Sequence, residues 1–378
     1  MHLYLHIPFC RQACHYCDFH FSTNTSNKRA VVEAIANEII LRKDYLPKAD
    51  IETIYFGGGT PSLLDEEELH LLLNTINRHF TVASNAEITL EANPDDLQRE
   101  KLQQFYNAGI NRLSIGIQSF HEPHLKFLNR IHSAHEGEHC VRTAQEIGIK
   151  NISIDLIYAI PAPDHGILLQ DMQKAFSLDI AHISAYCLTI EPQTAFGSWL
   201  KKKKIQPIDE EYAAQQFEML VKTLAENGYE QYEISNFARN GHYSMHNSSY
   251  WKQRPYLGVG PSAHSYNGVS REYNVSNNAR YLEAIQNQII PATLETLSPA
   301  DQTNEYLLTG LRTKWGVNKE KLEMLSGRSF LSTHHADLEK MTEKNWIRED
   351  ADNWYLTDSG KLFADRISSD LFIDGELN

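Results

Sequence analysis

The sequence predicts an α/β protein: a partial (β/α)6 barrel, followed by a C-terminal α+β region that ends in a winged-helix-like module. Three observations predict it. From residue 1 to about 235, six short β-rich runs alternate with helix-length amphipathic stretches, the order that gives parallel strands joined by helical crossovers. Polar residues gather at the C-terminal ends of those runs, where open sheets and barrels alike place their ligands. From residue 299 the order becomes three helices, two short strands and a last helix.

The β-rich runs are 3–7, 53–56, 87–91, 112–118, 151–157 and 181–188, and helical spacing fills 29–45, 66–79, 97–108, 134–147 and 166–178. The repeat fits an open sheet or a barrel, and six units favour a partial barrel. Lys201, Lys202, Lys203 and Lys204 form a charge run in a polar connection, expected to be solvated surface. Residues 209–227 have the spacing of one amphipathic helix leading into 229–234. Residues 241–274, rich in Tyr, Asn, Gly, Ser and His with little periodicity, are expected to form a long loop-bearing segment, a length that commonly carries function. Helical patterns at 301–313, 319–325 and 332–344, strands at 346–348 and 354–356, and a helix from Asp358 complete the chain. Three domains follow: 1–235, a linking region 236–298, and 299–378.

With 378 residues, 42% hydrophobic and 22% charged, the chain can bury a large core and is neither disordered nor disulfide-dense. Its 35 Lys and Arg against 49 Asp and Glu argue against a basic face for nucleic acid. The winged-helix-like region, with ten Lys and Arg against fifteen Asp and Glu, is expected to pack or interact rather than read DNA. No window approaches the ~18 apolar residues of a membrane span, and the N-terminus lacks the pattern of a secretory signal. A cytoplasmic location is expected, where five cysteines are ligands or core residues rather than disulfides. Cys140 and Cys187 are expected as core thiols, and the His334-His335 pair as surface. The run 258–264 lacks the lysine and following helix of a phosphate loop, so no nucleotide site is expected there.

The strongest feature is Cys10-Arg-Gln-Ala-Cys14-His-Tyr-Cys17, a CxxxCxxC run directly after the first strand. Three soft thiolates in one loop favour an iron–sulfur cluster, zinc or copper(I). Structural zinc would take a fourth ligand, for which His15 or His20 is available. A four-iron cube on three cysteines keeps one iron open for an outside ligand. Gly57-Gly58-Gly59-Thr60-Pro61 follows the second strand, either as a tight βα turn or as a place where the backbone approaches a ligand that any Cβ would obstruct.

The cysteine spacing, with Tyr16 before the last cysteine, resembles the radical S-adenosylmethionine (SAM) superfamily. The resemblance implies a [4Fe–4S] cluster on Cys10, Cys14 and Cys17 whose open iron binds the amino and carboxylate groups of SAM. Reduction then cleaves the sulfonium to a 5′-deoxyadenosyl radical. Over nearly the whole chain the sequence resembles the oxygen-independent coproporphyrinogen III oxidase family and its relatives. The matching stretches are Tyr4-Leu-His-Ile-Pro-Phe-Cys10, Phe56-Gly-Gly-Gly-Thr-Pro61, Glu87-Ile-Thr-Leu-Glu91, the run from Arg112 to Phe120, Asn129-Arg130 and Ile154-Asp-Leu-Ile-Tyr158. Carried over, the resemblance implies SAM contacts from Tyr4, Tyr16, Gly58, Gly59, Thr60, Glu91, Gln118, Arg130 and Asp155. Arg130 suits the methionyl carboxylate, and Glu91, Asp155 and Gln118 suit an ammonium and ribose hydroxyls.

Two departures separate the branches. The decarboxylating enzymes carry a further cysteine two residues past the third ligand, where this sequence has Phe19, and an extension before the first strand. The element His246-Asn-Ser-Ser-Tyr250-Trp251 resembles instead the HNxxYW signature of HemW-type proteins, haem chaperones that hand haem to acceptor haemoproteins, respiratory ones included. The resemblance implies haem as a ligand, with His246, Asn247, Tyr250 and Trp251 as its site. An imidazole can ligate haem iron and aromatic rings can flank the porphyrin; His242 and His264 compete with His246 for the iron. A porphyrin-metabolism role, peripheral membrane association and a homodimer remain open. So do two enzyme alternatives, coproporphyrinogen III oxidative decarboxylation and radical-SAM chemistry on another substrate.

Overall fold

The computed structural model describes residues 1–327 and 330–374; residues 328, 329 and 375–378 of the expected C-terminal domain lie outside the described residues. Six parallel strands form the frame: β1 (His2–Ile7), β2 (Ile51–Gly58), β3 (Val82–Ala92), β4 (Arg112–Gln118), β5 (Asn151–Tyr158) and β6 (His182–Cys187). They lie side by side in sequence order, each joined to the next by a segment that includes at least one helix. The far side of β6 pairs antiparallel with Asn236–Ala238 and the far side of β1 pairs with Tyr256–Val259. The array is therefore an open, partial (β/α)6 barrel rather than a closed one.

The core strands turn apolar residues to one face and polar ones to the other, which pins their register, with shifts only between Ile51 and Thr53 and between Ile115 and Gln118. In β1, Leu3, Leu5 and Ile7 are buried in the apolar core that also takes Val31, Ile35 and Ile39 of the helix Lys28–Leu41. The alternate residues His2, Tyr4 and His6 face the other way. Tyr4 pairs in register with Tyr55, Tyr55 with Thr89, Thr89 with Arg112 and Arg112 with Asn151. One face of the sheet is thus a polar floor, and the other is a helix-covered core.

Helix bounds follow their caps. The helix Glu66–His79 starts at a capping box between Asp65 and Glu68, and Ala134–Ile147 starts at one between Ser133 and Glu136 and ends at left-handed Gly148. The stretch expected as loop, 241–274, is instead ordered. It contains a helix, Met245–Trp251, and three strands of the 12-stranded sheet, β9 (Tyr256–Val259), β10 (His264–Tyr266) and β11 (Ser270–Asn274); β7 (Glu230–Glu233) and β8 (Asn236–Ala238) precede the segment and β12 (Ala292–Thr296) follows it. The hydrogen bonds that make β9 a strand come from β1, some 250 residues earlier in the chain, so local periodicity does not record them.

A second apolar core gathers Leu307, Leu311, Val317, Leu322, Trp354 and Ile367. The small sheet there has the order β13 (Val317–Asn318), β15 (Asn353–Leu356), β14 (Ile347–Glu349), the winged-helix-like arrangement of helices and a two-stranded wing. His334, expected at the surface, is buried and stacked on Phe330 with centroids 4.1 Å apart, whereas His335 is exposed. Lys201, Lys202, Lys203 and Lys204 are exposed, as expected.

Candidate cluster and cofactor site

The loop after β1 carries Cys10, Cys14 and Cys17, all free and half-buried. It is tied down at several points. Cys10 N–H donates to Ser22 O, Ser22 N–H to Pro8 O, and Gln12 Nε2 to Asn129 O. Two side chains aim donors at the sulfurs: Thr60 Oγ1 lies 3.4 Å from Cys10 Sγ, and Arg130 Nη1 lies 3.3 Å from Cys14 Sγ. Burial, with the neighbouring thiols adding to it, pushes the Cys10 and Cys17 thiols up to about 11. Three soft thiol ligands and two hydrogen-bond donors to sulfur, one of them the Arg130 guanidinium, fit an iron–sulfur group, whose thiolates such donors stabilise. Among the described residues no three His, Cys, Asp or Glu side chains are grouped to hold a single metal ion; in a cube each thiolate would bind its own iron.

His15 and His20, the fourth ligands a zinc site would need, are engaged elsewhere. His15 Nδ1 bonds Phe127 O at 2.9 Å and its ring packs on Trp199 at 4.6 Å. His20 Nε2 bonds Asn278 Oδ1 at 2.8 Å.

The glycine run works differently from a simple ligand cradle. Gly58 has φ +105°, and a Cβ there would lie 2.6 Å from the His6 ring. A Cβ on Gly59 would lie 2.7 Å from Phe9 O, and its N–H donates to Ile7 O at 2.9 Å. The glycines thus let the end of β2 close directly on β1 and the cysteine loop, which in turn sets Thr60 against Cys10.

The remaining expected SAM contacts share the polar floor. Glu91 accepts from Tyr55 Oη at 2.7 Å and from Gly58 N–H at 3.2 Å. Burial raises its carboxyl to about 7, with Asp155 adding to the rise and the Tyr55 donor opposing it. Burial likewise raises Asp155 to about 6, against donors from Ser184 and Ser114. Tyr4 Oη bonds His6 Nδ1 at 3.1 Å. Gln118 ends β4 with φ +66°, a left-handed backbone uncommon outside glycine that re-aims its side chain. Tyr16 is half-buried beside Arg130 and Cys14, and desolvation of its hydroxyl holds the phenol well above the usual range. Arg130 Nη2 bonds Asn93 Oδ1 at 2.6 Å and Gly116 O at 2.8 Å, while its buried Nε has no partner.

Sequence reasoning missed Tyr55, Asn93 and Asp96. Asn93 joins Arg130 to Thr60, to which its Nδ2 donates at 3.3 Å. Asp96 holds Arg11 Nε at 2.6 Å and Ser62 Oγ at 2.8 Å. The signal for the last two was available: both lie within five residues of Glu91, just past the end of β3.

The HNxxYW element lies at the opposite end of the floor, beside the first residues of the strands. Glu87 accepts the backbone N–H groups of Met245 and His246, capping the helix start. The His246 ring is fully buried; Nδ1 contacts Thr53 Oγ1 at 2.6 Å and Nε2 contacts Tyr250 Oη at 2.8 Å. Thr53 also contacts His2 Nδ1 at 2.9 Å, so one of the two histidines donates to its hydroxyl, which has a single proton to give. An iron could reach His246 only by displacing one of these partners, and the placement gives the expectation of haem ligation no support. Trp251 meets the C-terminal region, with the Arg312 guanidinium 5.4 Å from its ring centre. Asn247 N–H is held by the cap Ser244 at 3.3 Å. His242 and His264 are exposed.

Beside the cysteine loop, beyond β4, β5 and β6, a half-open cavity of about 400 Å³ is lined by apolar side chains including Phe127, Leu188 and Phe196.

Comparisons with known proteins agree with this architecture. The radical SAM superfamily pattern matches residues 4–168, and a HemN C-terminal domain pattern matches 297–363. A protein named Heme chaperone HemW from Bacillus subtilis (strain 168) is 36% identical over 367 residues, covering 96% of this chain and 97% of that one. Its namesakes in Lactococcus lactis subsp. lactis (strain IL1403) and Escherichia coli (strain K12) are each 32% identical, covering 98% and 97% of this chain and 97% and 96% of theirs. Among solved structures, the radical SAM enzyme coproporphyrinogen III oxidase (HemN) from Escherichia coli superposes with a TM-score of 0.84 at 21% identity, covering 98% of this chain and 89% of that one; at that identity the likeness is one of fold.

Proposed function

The chain belongs to the HemW family of the radical SAM superfamily, and from that premise we propose that it binds haem and passes it to acceptor haemoproteins, working in the cytoplasm with a [4Fe–4S] cluster and SAM in its barrel. The observation that carries the reading is the near-full-length likeness to proteins named as haem chaperones. Position 19 supports it: an exposed phenylalanine stands where the decarboxylating enzymes carry a cysteine.

Cys10, Cys14 and Cys17 would hold the cluster, which when bound supplies an electron to SAM. Thr60 and Arg130 lower the charge felt at the sulfurs. Glu91 and Asp155 offer carboxylates to an ammonium and to hydroxyls. Arg130, whose buried Nε has no partner, would offer its guanidinium to a carboxylate. The closed packing of Gly58 and Gly59 on β1 keeps the loop in place.

Among the described residues no helix is long and apolar enough to cross a membrane. The test is a haem titration of anaerobically reconstituted protein, with a coproporphyrinogen decarboxylation assay on the same sample. Stoichiometric haem binding without decarboxylation is the expected result. Decarboxylation without stable haem binding would assign the chain to the oxidase chemistry instead.

A further inference from the structure

Asn93 is the first residue past β3, and its side chain stands between the two groups that aim donors at the cysteine sulfurs. Its Oδ1 accepts from Arg130 Nη2 at 2.6 Å, and its Nδ2 donates to Thr60 Oγ1 at 3.3 Å. Arg130 reaches Cys14 Sγ through its other arm, Nη1, and Thr60 reaches Cys10 Sγ through its hydroxyl. One chain of hydrogen bonds therefore runs from sulfur to sulfur through Arg130, Asn93 and Thr60.

The direction of each bond in that chain follows from what its members can give. A guanidinium has donors and no acceptor, so the amide must turn its oxygen to Arg130; the reverse orientation would set N–H groups against N–H groups. With the oxygen committed, Nδ2 points at Thr60 and occupies a lone pair of its hydroxyl. That hydroxyl has a single proton. With Asn93 filling its acceptor side, the proton is left for Cys10 Sγ.

Asn93 is itself held in place. Its backbone N–H donates to Ser62 Oγ at 3.3 Å, and Ser62 gives its own proton to the buried Asp96 at 2.8 Å, which also holds Arg11 of the cysteine loop. Asn93 O accepts from Asp96 N–H at 3.1 Å. Gly116 of β4 closes the remaining side. Its O accepts from Arg130 Nη2 at 2.8 Å, and a Cβ there would lie 2.8 Å from Gln118 Nε2 and 3.3 Å from Arg130 Nη2. The segments after β1, β2 and β3 and the loop carrying Arg130 thus meet around one amide.

We propose that Asn93 is a positioning residue for the iron–sulfur cluster: its amide, oriented by Arg130, commits the Thr60 proton to Cys10 and so raises the cluster's reduction potential without touching it. Hydrogen bonds to the ligating sulfurs are one of the levers that set such potentials. The inference rests on the proposed cluster and extends it to a residue outside the cysteines and the expected SAM contacts.

The test is the midpoint potential of the full-length, anaerobically reconstituted protein without SAM, followed by electron paramagnetic resonance. Asn93→Leu removes the amide at similar size. Asn93→Asp keeps an acceptor for Arg130 but has no N–H, so the Thr60 hydroxyl turns its proton to the carboxylate. Each is measured alone and combined with Thr60→Val. Both single variants should keep their iron and sulfide and shift the midpoint to more negative values. Both shifts should shrink in the Thr60→Val background, where the hydroxyl through which Asn93 acts is gone; what remains for Asn93→Asp is the effect of its charge. Shifts of equal size in the two backgrounds, or none at all, would overturn the proposal and leave the cluster standing. Iron lost from both Asn93 variants while Thr60→Val loads fully would make Asn93 a scaffold of the loop, and would overturn it too. A crystal structure of the loaded wild type needs no variant: Asn93 should still bridge Arg130 and Thr60 with the hydroxyl on Cys10 Sγ, and a broken bridge would contradict the role. A wild type that assembles no iron–sulfur cluster would overturn the proposed cluster and the role of Asn93 together.

Discussion

The imidazole of His246 lies stacked on the ring of Tyr55, with centroids 4.8 Å apart and 24° between the planes. The Tyr55 hydroxyl in turn donates to Glu91, so the helix Met245–Trp251 reaches the expected SAM side chains through two contacts. The HNxxYW element is thereby a strut under the polar floor, and the linkage gives it a role that does not require an iron.

Replacing His246 with Ala removes that stack and leaves Thr53 and Tyr250 without their imidazole partner. Unfolding stability should fall by roughly 2–4 kcal/mol, the range for emptying a buried site and orphaning polar groups. The Soret band of the haem complex should be unchanged. A lost or shifted Soret band at wild-type stability would instead make His246 the iron ligand.

Glu91, with its carboxyl raised to about 7 from the ordinary 4.5 by burial and by Asp155, gives a signed pH prediction. Between those values the folded chain holds a proton that the unfolded chain has released, so stability falls as pH rises through the window. The Tyr55 and Gly58 donors and the Arg112 charge pull the other way without cancelling it. An ammonium ligand favours the ionised carboxylate, so SAM should bind more tightly as pH rises from 6 to 8. Glu91→Gln should flatten that dependence. Calorimetric titration at the two pH values checks it, and a pH-independent wild type would contradict the role.

Gly58 and Gly59 are packing residues for the cysteine loop. Gly58→Ala forces a Cβ onto the His6 ring at a positive φ, and Gly59→Ala pushes on Phe9 backbone. Each should cost on the order of 1–3 kcal/mol, and Gly59→Ala should also lower the iron retained after reconstitution. Thermal unfolding and iron analysis read the two effects. Full iron content in Gly59→Ala would show that the loop does not depend on this contact.

Thr60→Val keeps the shape and removes the donor to Cys10 Sγ. The cluster should assemble with unchanged iron content and a more negative midpoint potential, because hydrogen bonds to the ligating sulfur favour the reduced state. Replacing Cys10, Cys14 or Cys17 with Ala should abolish cluster assembly. An unchanged potential in Thr60→Val would remove Thr60 from the site's electronics.

The barrel and the cysteine motif were legible because both are written locally. Leu3, Leu5 and Ile7 alternate with His2, Tyr4 and His6, and the capping residues Asp65 and Ser133 mark helix starts that the structure reproduces. The strands of the segment 241–274 were not legible, since β9 pairs over its whole length with β1, far away in the chain, and at only one position with its neighbour β10. The polar floor was read only at its upper end. Thr53, in register with Glu87, and Arg112, in register with Thr89, lie away from that end, and their purpose is visible only once the helix carrying His246 is seen to pack there.

The most direct test of the central claim is transfer itself. The chain, reconstituted anaerobically and loaded with one haem, is mixed with a haem-free acceptor haemoprotein, and the two are separated and their Soret spectra recorded. The account predicts that haem leaves the chain for the acceptor faster than it leaves serum albumin under the same conditions. Haem that never binds the chain, or that reaches the acceptor no faster than from albumin, would contradict it.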